Sequence, residues 1–261
     1  MRTLLVADLH LSEHTPGTVQ GFIRYLETTA QGAQALYILG DLFDAWPGDD
    51  LLDQPHPLAD IAHRVIDALR RLASSGTAVY FMHGNRDFLI GERFARCCRA
   101  ALLPEVQAGK LHGVPVVLLH GDSLCTRDDA YMAFRRQARD PVWQAQMLAM
   151  PFGERVALAQ RLREQSGEAN ATKAEAIMDV TPSDVVDLMA EHGVATMIHG
   201  HTHRPKVHDL TVEDRPAKRY VLGDWSEQHG WDIVIAADAD QAKPRLRQFS
   251  LDALPAASGL Q

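Results

Sequence analysis

The sequence predicts a layered α/β fold that carries an inserted helical segment. Three observations lead there: short branched apolar runs recur along the chain, amphipathic helical patterns lie between the first of them, and a Met-, Ala- and Arg-rich stretch interrupts the alternation after the fourth run. With 261 residues, 46% of them hydrophobic, the chain can bury a substantial core as one domain over residues 1–261.

The apolar runs are Thr3 to Ala7, Ala35 to Leu39, Ala78 to Met82, Val114 to Leu119 and Ala195 to His199. Each is short, rich in branched residues and closed by small polar ones, which marks a buried strand. Val19 to Ala30 predicts a helix between the first two runs. Leu58 to Ala73 predicts another, because Leu58, Ile61, Ala62, Val65, Ile66, Leu69 and Leu72 keep i, i+3, i+4 spacing, with Gly76 as its stop. From Leu124 to Val180 the pattern is helical, with breaks at Pro141, Pro151-Phe152-Gly153 and Ser166-Gly167, so residues 124–180 read as an inserted helical cap over the site. Beyond Lys206, Arg219 to Leu222 and Trp231 to Ala237 read as strands of a second sheet that closes a sandwich, and Ala256 to Gln261 as a loose terminus.

Composition excludes several classes. A formal charge of −8, from 26 Lys and Arg against 34 Asp and Glu, argues against broad capture of nucleic acid, which needs surplus cations to displace counterions. Cys97, Cys98 and Cys125 form no even disulfide framework, and adjacent cysteines pair poorly, which fits a reducing cytoplasm. No run of about 18 apolar residues occurs, and the N-terminus enters a strand without a charged leader, so neither a membrane span nor that export route is expected. Thirteen histidines raise the case for metal or phosphate chemistry.

Five polar motifs follow the five strands. Asp8-Leu9-His10, if extended, presents both polar side chains to one face; alone it reads more readily as a turn aspartate and a surface histidine. Gly40-Asp41-Leu42-Phe43-Asp44 offers a close backbone approach at Gly40 and, in Asp41, two oxygens able to bridge a pair of ions. Asp44 reads better as a helix cap or as an acceptor behind the ligands. His83-Gly84-Asn85-Arg86-Asp87 supplies a neutral amide oxygen and a guanidinium suited to phosphate. His120-Gly121-Asp122 adds an imidazole, and His199-Gly200-His201-Thr202-His203-Arg204-Pro205 adds two more at i and i+2. A sheet gathers such strand ends at one edge, and the joint pattern carries a weight that no single motif does. The candidate ligands are Asp8, His10, Asp41, Asn85, His120, His201 and His203, enough for two ions about 3.5 to 4 Å apart. Nitrogen and oxygen donors without thiolate favour Mn, Fe or Zn over a structural zinc knot.

In this order the motifs resemble the calcineurin-like metallophosphoesterases, from residue 1 to about 237. The resemblance implies a β-sandwich flanked by helices in αββα layers. It also implies one site of Asp8, His10, Asp41 and His203 and another of Asp41, Asn85, His120 and His201. Many members carry His after the Gly-Asn pair; here Arg86 stands there, and a guanidinium with a pKa above about 12 neutralises charge at phosphorus but donates no proton. That favours cleavage of an anhydride, whose leaving group needs little protonation.

The motifs, with His120 to Thr126 and Gly200 to Pro205, are also similar to the UDP-2,3-diacylglucosamine diphosphatases of bacterial lipid A synthesis. That likeness implies attack of water on the α-phosphorus to give UMP and 2,3-diacylglucosamine 1-phosphate, with two manganese ions. It names Asn85, Arg86 and His201 at the catalytic step and at the phosphates, and Asp128, Ser166, Asn170 and Lys173 as cap contacts. Arg127 stands where acidic residues are common in those proteins, and helix chemistry alone also accounts for the cap residues. The apolar groups of the cap, among them Phe134, Trp143, Met147, Leu158 and Leu162, suit acyl chains, although most would serve equally to pack the cap down. Eight Lys and Arg against six Asp and Glu between Arg127 and Lys173 make the cap mildly basic, which leads to the expectation that it rests, through Arg135, Arg136 and Arg139, on anionic lipid at the cytoplasmic face of the inner membrane. No obligate protein partner is inferred. The competing readings are a phosphodiesterase for a soluble nucleotide and a non-catalytic scaffold of the same fold.

Overall fold

Strand β1 (Arg2–Val6), helix α1 (Pro16–Glu27), β2 (Ala35–Leu39), α2 (Pro57–Ser74) and β3 (Ala78–Met82) alternate as the apolar pattern predicts. The computed structural model describes residues 1–172, 179–236 and 242–255. Helix α1 starts three residues ahead of the expected Val19, because Pro16 occupies its first turn with the φ a helix needs. Helix α2 is capped by His56, whose Nδ1 accepts from Leu58 N at 3.2 Å, and Pro57 opens it.

Four elements follow: α3 (Glu92–Cys98), β4 (Ala100–Leu102), β5 (Val106–Leu111) and β6 (Val114–Leu119). The apolar pattern predicts only the last. Gln107, Gly109 and Lys110 break up β5 and only Leu111 is buried, so it lacks the apolar run used as a signal. Its cue was the turn: His112 (φ 49) and Gly113 (φ 85) are both left-handed, the two-residue hairpin conformation that matches strand twist. The helical stretch resolves into α4 (Asp129–Ala138), α5 (Pro141–Ala149) and α6 (Phe152–Thr172), broken at the predicted prolines but not at Ser166-Gly167, which α6 runs through because neither residue removes a backbone donor, and α7 (Pro182–Glu191) then leads back to β7 (Thr196–His199). The tail supplies β8 (Lys206–Val212), β9 (Arg215–Val221), β10 (His229–Ala236) and β11 (Arg245–Ser250).

The strands form two sheets, ordered β11-β10-β1-β2-β3-β4 and β5-β6-β7-β9-β8. Alternation along each strand divides the core. Leu4, Val6, Leu36, Ile38, Val79 and Phe81 face α1, α2 and α3. Leu5, Leu39 and Met82 face the opposite way, into a second cluster shared with Val117, Leu119 and Met197 of the other sheet. Helix α7 adds Val185 and Met189 to that cluster. A sandwich flanked by helices results, as expected.

Two expectations are corrected. The five motif-bearing strands lie in two sheets: β1, β2 and β3 run parallel in the first, β6 and β7 parallel in the second. Their C-terminal ends meet at one edge of the sandwich. Trp231 to Ala237, assigned to the second sheet, instead yields β10, which pairs antiparallel with β1 in the first. The chain can enter there because β1 is its first strand and leaves that edge open.

Candidate active site

The register sets the motif loops side by side. Val6 lies opposite Ile38, and Ile38 opposite Phe81, so the chain leaves all three strands at one level. The first two loops are then laced together: Asp8 N donates to Gly40 O at 3.1 Å, and Leu9 N and His10 N both donate to Asp41 O, at 2.9 and 3.0 Å. This lacing requires turns, so the expected extended Asp-x-His is not extended. Asp8, His10 and Asp41 have φ of 54, 48 and 52, and His201 and His203 have 65 and 54. Leu9 still buries its side chain, and both polar neighbours emerge on the site side. Left-handed backbone costs a non-glycine residue about 1–2 kcal/mol, and its concentration in five of the seven predicted ligands marks a place where geometry is held against local preference.

Glycine makes the convergence possible at two points. A Cβ on Gly40 would fall 2.6 Å from both Gly84 Cα and His120 Nδ1, and one on Gly84 would fall 2.0 Å from Asp41 Oδ1. The chain approaches itself too closely for any side chain there.

All seven predicted ligands come together. His10 Nε2 lies 3.1 Å from His203 Nε2, and Asn85 Oδ1 lies 3.0 Å from His120 Nε2 and 2.9 Å from His201 Nδ1. Asp41 Oδ2 stands between the two sets, 4.0 Å from His10 Nδ1 and 3.7 Å from His120 Nε2. Asp8 Oδ1 is 3.7 Å from His203 Nε2, while Asp8 Oδ2 accepts from His201 N at 2.8 Å. Two trios, Asp8, His10, His203 and Asp8, Asp41, His120, bring ligand atoms within 4.8 Å of one another.

The electrostatics of the cluster supports a cation here. Asp8 Oδ1 is buried and has no hydrogen-bond partner, a costly arrangement for a carboxylate unless positive charge stands beside it. Burial pushes His10 and His201 down to about 3, so both stay neutral, the form that ligates metal. Burial also pushes His203 down, but the adjoining Asp8 carboxylate more than offsets this and lifts it to about 9. At His120 burial is likewise outweighed, by Asp41 and Asp8, and the imidazole is raised. Burial raises Asp41, against the pull of His120. The carboxylates thus draw His120 and His203 toward the charged form, and the donor set fits divalent cations as the positive charge of the cluster.

Residues 1–205 match the calcineurin-like phosphoesterase family, a span that contains all five motifs. UDP-2,3-diacylglucosamine hydrolase of Chromohalobacter salexigens is 53% identical over 97% of this chain and 99% of its own length. The proteins of the same name from Cellvibrio japonicus and Pseudomonas paraeruginosa are 53% and 47% identical, covering 91% and 94% of this chain and 96% and 99% of their own. The chain is a calcineurin-like phosphoesterase of the UDP-2,3-diacylglucosamine hydrolase family. Like its family it is a metal-dependent hydrolase, and the cofactor is a divalent cation.

In this hydrolase the ligand cluster opens into a cavity of about 610 Å³. Its wall combines His10, Asp41, Asn85, Arg86 and His201 of the motif loops with Phe134, Trp143, Met147, Leu158 and Leu162 of α4, α5 and α6. Helix α5 buries no residue, and these large side chains are only half-buried, so the three helices spend their apolar surface on the cavity wall rather than on a core of their own.

The remaining expected residues fare unevenly. Asp44 caps no helix; it pairs with Arg163 of α6 across the cavity. Asp128 caps α4, accepting from Tyr131 N at 3.1 Å, and also lines the cavity. Ser166 and Asn170 lie on the last turns of α6, outside the described side chains, and Lys173 lies outside the described residues. Arg135 and Arg139, expected to face lipid, turn inward onto Asp122; Arg136 alone of the three is exposed. Asp87, for which no role was expected, is buried and accepts from Leu42 N and Gly84 N, both at 2.8 Å, tying the second motif to the third. Asp224 stands 3.8 Å from His203 Nδ1, on the side of the ring away from Asp8. The signal for Asp87 was in plain view, since a carboxylate beside a Gly-Asn turn commonly takes up the amides of that turn.

Proposed function

We propose that the chain hydrolyses the diphosphate of UDP-2,3-diacylglucosamine with two manganese ions, releasing UMP and 2,3-diacylglucosamine 1-phosphate. The observation that carries this reading is a cluster of seven nitrogen and oxygen donors opening directly into an apolar cavity, so one molecule can set a charged diphosphate at one end and acyl chains at the other. The names of the relatives agree with it.

Asp8, His10, Asp41 and His203 hold one ion, and Asp41, Asn85, His120 and His201 the other. Such ions, when bound, polarise phosphoryl oxygens and ease deprotonation of an attacking water. The chain's own role is placement. Arg86, in the cavity wall, neutralises charge gathering on the phosphoryl group, and Asn85 and His201 contact the phosphates. Arg86 cannot give a proton to the leaving group, and a phosphate monoester released from an anhydride needs none. Residues 124–180 act as the cap, with Asp128, Ser166, Asn170 and Lys173 as its polar substrate contacts. A soluble nucleotide would leave Phe134, Trp143 and Met147 without an occupant.

Hydrolysis in oxygen-18 water tests substrate and site of attack together: label is expected in UMP. Label in the sugar phosphate, or faster turnover of a nitrophenyl phosphodiester than of the lipid, would overturn the reading.

No helix among the described residues is long and apolar enough to cross a membrane. The peripheral contact with the inner membrane is assigned to α5, whose Val142 (65% exposed) and Leu148 (46%) face solvent on a helix that also supplies Trp143 and Met147 to the cavity. Val142→Glu with Leu148→Glu is expected to reduce flotation with anionic liposomes; unchanged flotation counts against the assignment.

A further inference from the structure

Tyr131 and Arg135 of α4 and Arg139, the residue that caps its C-terminal end in helical conformation, are spaced four apart and so share one face. All three reach inward. Tyr131 donates its hydroxyl to Asp122 Oδ2 at 2.9 Å, and Arg135 donates Nε to the same oxygen at 2.8 Å while also pairing with Glu105. Arg139 Nη2 lies 3.7 Å from that oxygen and donates to Gly84 O at 3.0 Å. The two anchor points belong to the two loops that carry Asn85 and His120. Gly84 O is the carbonyl of the peptide that leads into Asn85, and Asp122 follows His120 by two residues. Asn85 Oδ1 then contacts both His120 Nε2 and His201 Nδ1.

Docking a helix does not by itself call for this arrangement. Apolar side chains of similar volume would hold α4 down as well or better, because taking charges out of water offsets much of what their pairing contributes. Asp122 is 1% exposed, and Arg135 and Arg139 expose only 12% and 19% of their side chains. A planar guanidinium held at fixed angles does what an apolar contact cannot: it fixes the orientation of the oxygens it binds. Neither arginine lines the cavity, so contact with substrate does not account for them.

We propose that Arg135 and Arg139 are positioning residues of the metal-dependent centre, fixing the Gly84–Asn85 peptide and the Asp122 carboxylate and through them the mutual spacing of Asn85, His120 and His201. The proposal rests on the reading of those three residues as metal ligands. It makes docking of α4 and the geometry of the centre one event.

The test compares Arg139→Ala, Arg139→Lys and Arg135→Ala with His120→Ala as the reference, in the full chain. Mn2+ affinity is measured by direct titration, kcat and KM at saturating Mn2+, and thermal melting without metal. Arg139→Ala and Arg135→Ala are expected to weaken Mn2+ binding about ten- to a hundredfold and to lower kcat, with KM moving less than about twofold. Arg139→Lys keeps the charge but loses the planar group that aims Nη2 at Gly84 O, and is expected to recover the smaller share of the loss. Wild-type Mn2+ affinity and kcat in both alanine variants, with His120→Ala impaired, would overturn the positioning role and leave the metal reading standing. Wild-type Mn2+ affinity in His120→Ala would overturn the metal reading and the proposal with it. If Arg139→Ala melts early, added guanidinium decides: recovery of Mn2+ affinity supports the proposal, and recovery of melting alone overturns it.

Discussion

Asp41→Asn is expected to lose bound divalent metal and to reduce turnover by at least about 3 kcal/mol of transition-state stabilisation, more than a hundredfold. Position is the reason. Asp41 Oδ2 is the carboxylate oxygen between the His10 side and the His120 side of the cluster, so its charge serves both. Its other oxygen accepts from Arg86 N at 2.8 Å, which aims the first. Asparagine is the cleaner replacement than alanine, because it keeps an acceptor for that amide and tolerates the left-handed backbone at φ 52. Metal content of the purified variant and its kcat check the expectation together. A full metal complement with normal turnover would remove Asp41 from the centre.

Arg86→Ala should separate the two functions that Asp41 unites. The hydrogen bond that orients Asp41 comes from the Arg86 backbone amide and survives the substitution, so metal binding is expected to persist. What disappears is a guanidinium in the cavity wall beside Asn85 and Asp41. If it stabilises charge that builds only during reaction, the loss is about 2–4 kcal/mol and falls on kcat more than on KM. Arg86→Lys restores a point charge without the fork and should recover some of that. Normal kcat in Arg86→Ala would refute the role. A rise in KM alone would make it a binding residue.

The central strands and the ligand set were legible because both carry dense local signals. Ala35 to Leu39 and Ala78 to Met82 are apolar on both faces, and their strand limits agree with the structure to the residue. The five motifs needed only the knowledge that strand ends gather at an edge. Partnership was less legible. Whether Trp231 to Ala236 joins the first sheet beside β1 or the edge of the second sheet is a choice between sheets, and nothing within the strand decides it. The same holds for Arg135 and Arg139. Their spacing shows that they share a face of α4, but a basic stripe suits a lipid headgroup and a buried carboxylate equally, and only the position of Asp122 separates the two. Val106 to Leu111 lacked the apolar run that marks a strand, since an edge strand can be polar and still be held by backbone pairing alone.

The donor side chains straddle a seam. Asp8, His10, Asp41 and Asn85 leave one sheet, His120, His201 and His203 the other, and what separates those sheets is the layer in which Leu39 and Met82 meet Leu119 and Met197. That oily layer therefore acts as a spacer gauge for the chemistry above it. Sheets slide or settle as blocks when their contact surface is thinned, and a shift too small to unfold the chain would already pull half of the ligand set away from the rest. Residues with no polar atom, buried far from any phosphate, thus help to decide how tightly a cation is gripped.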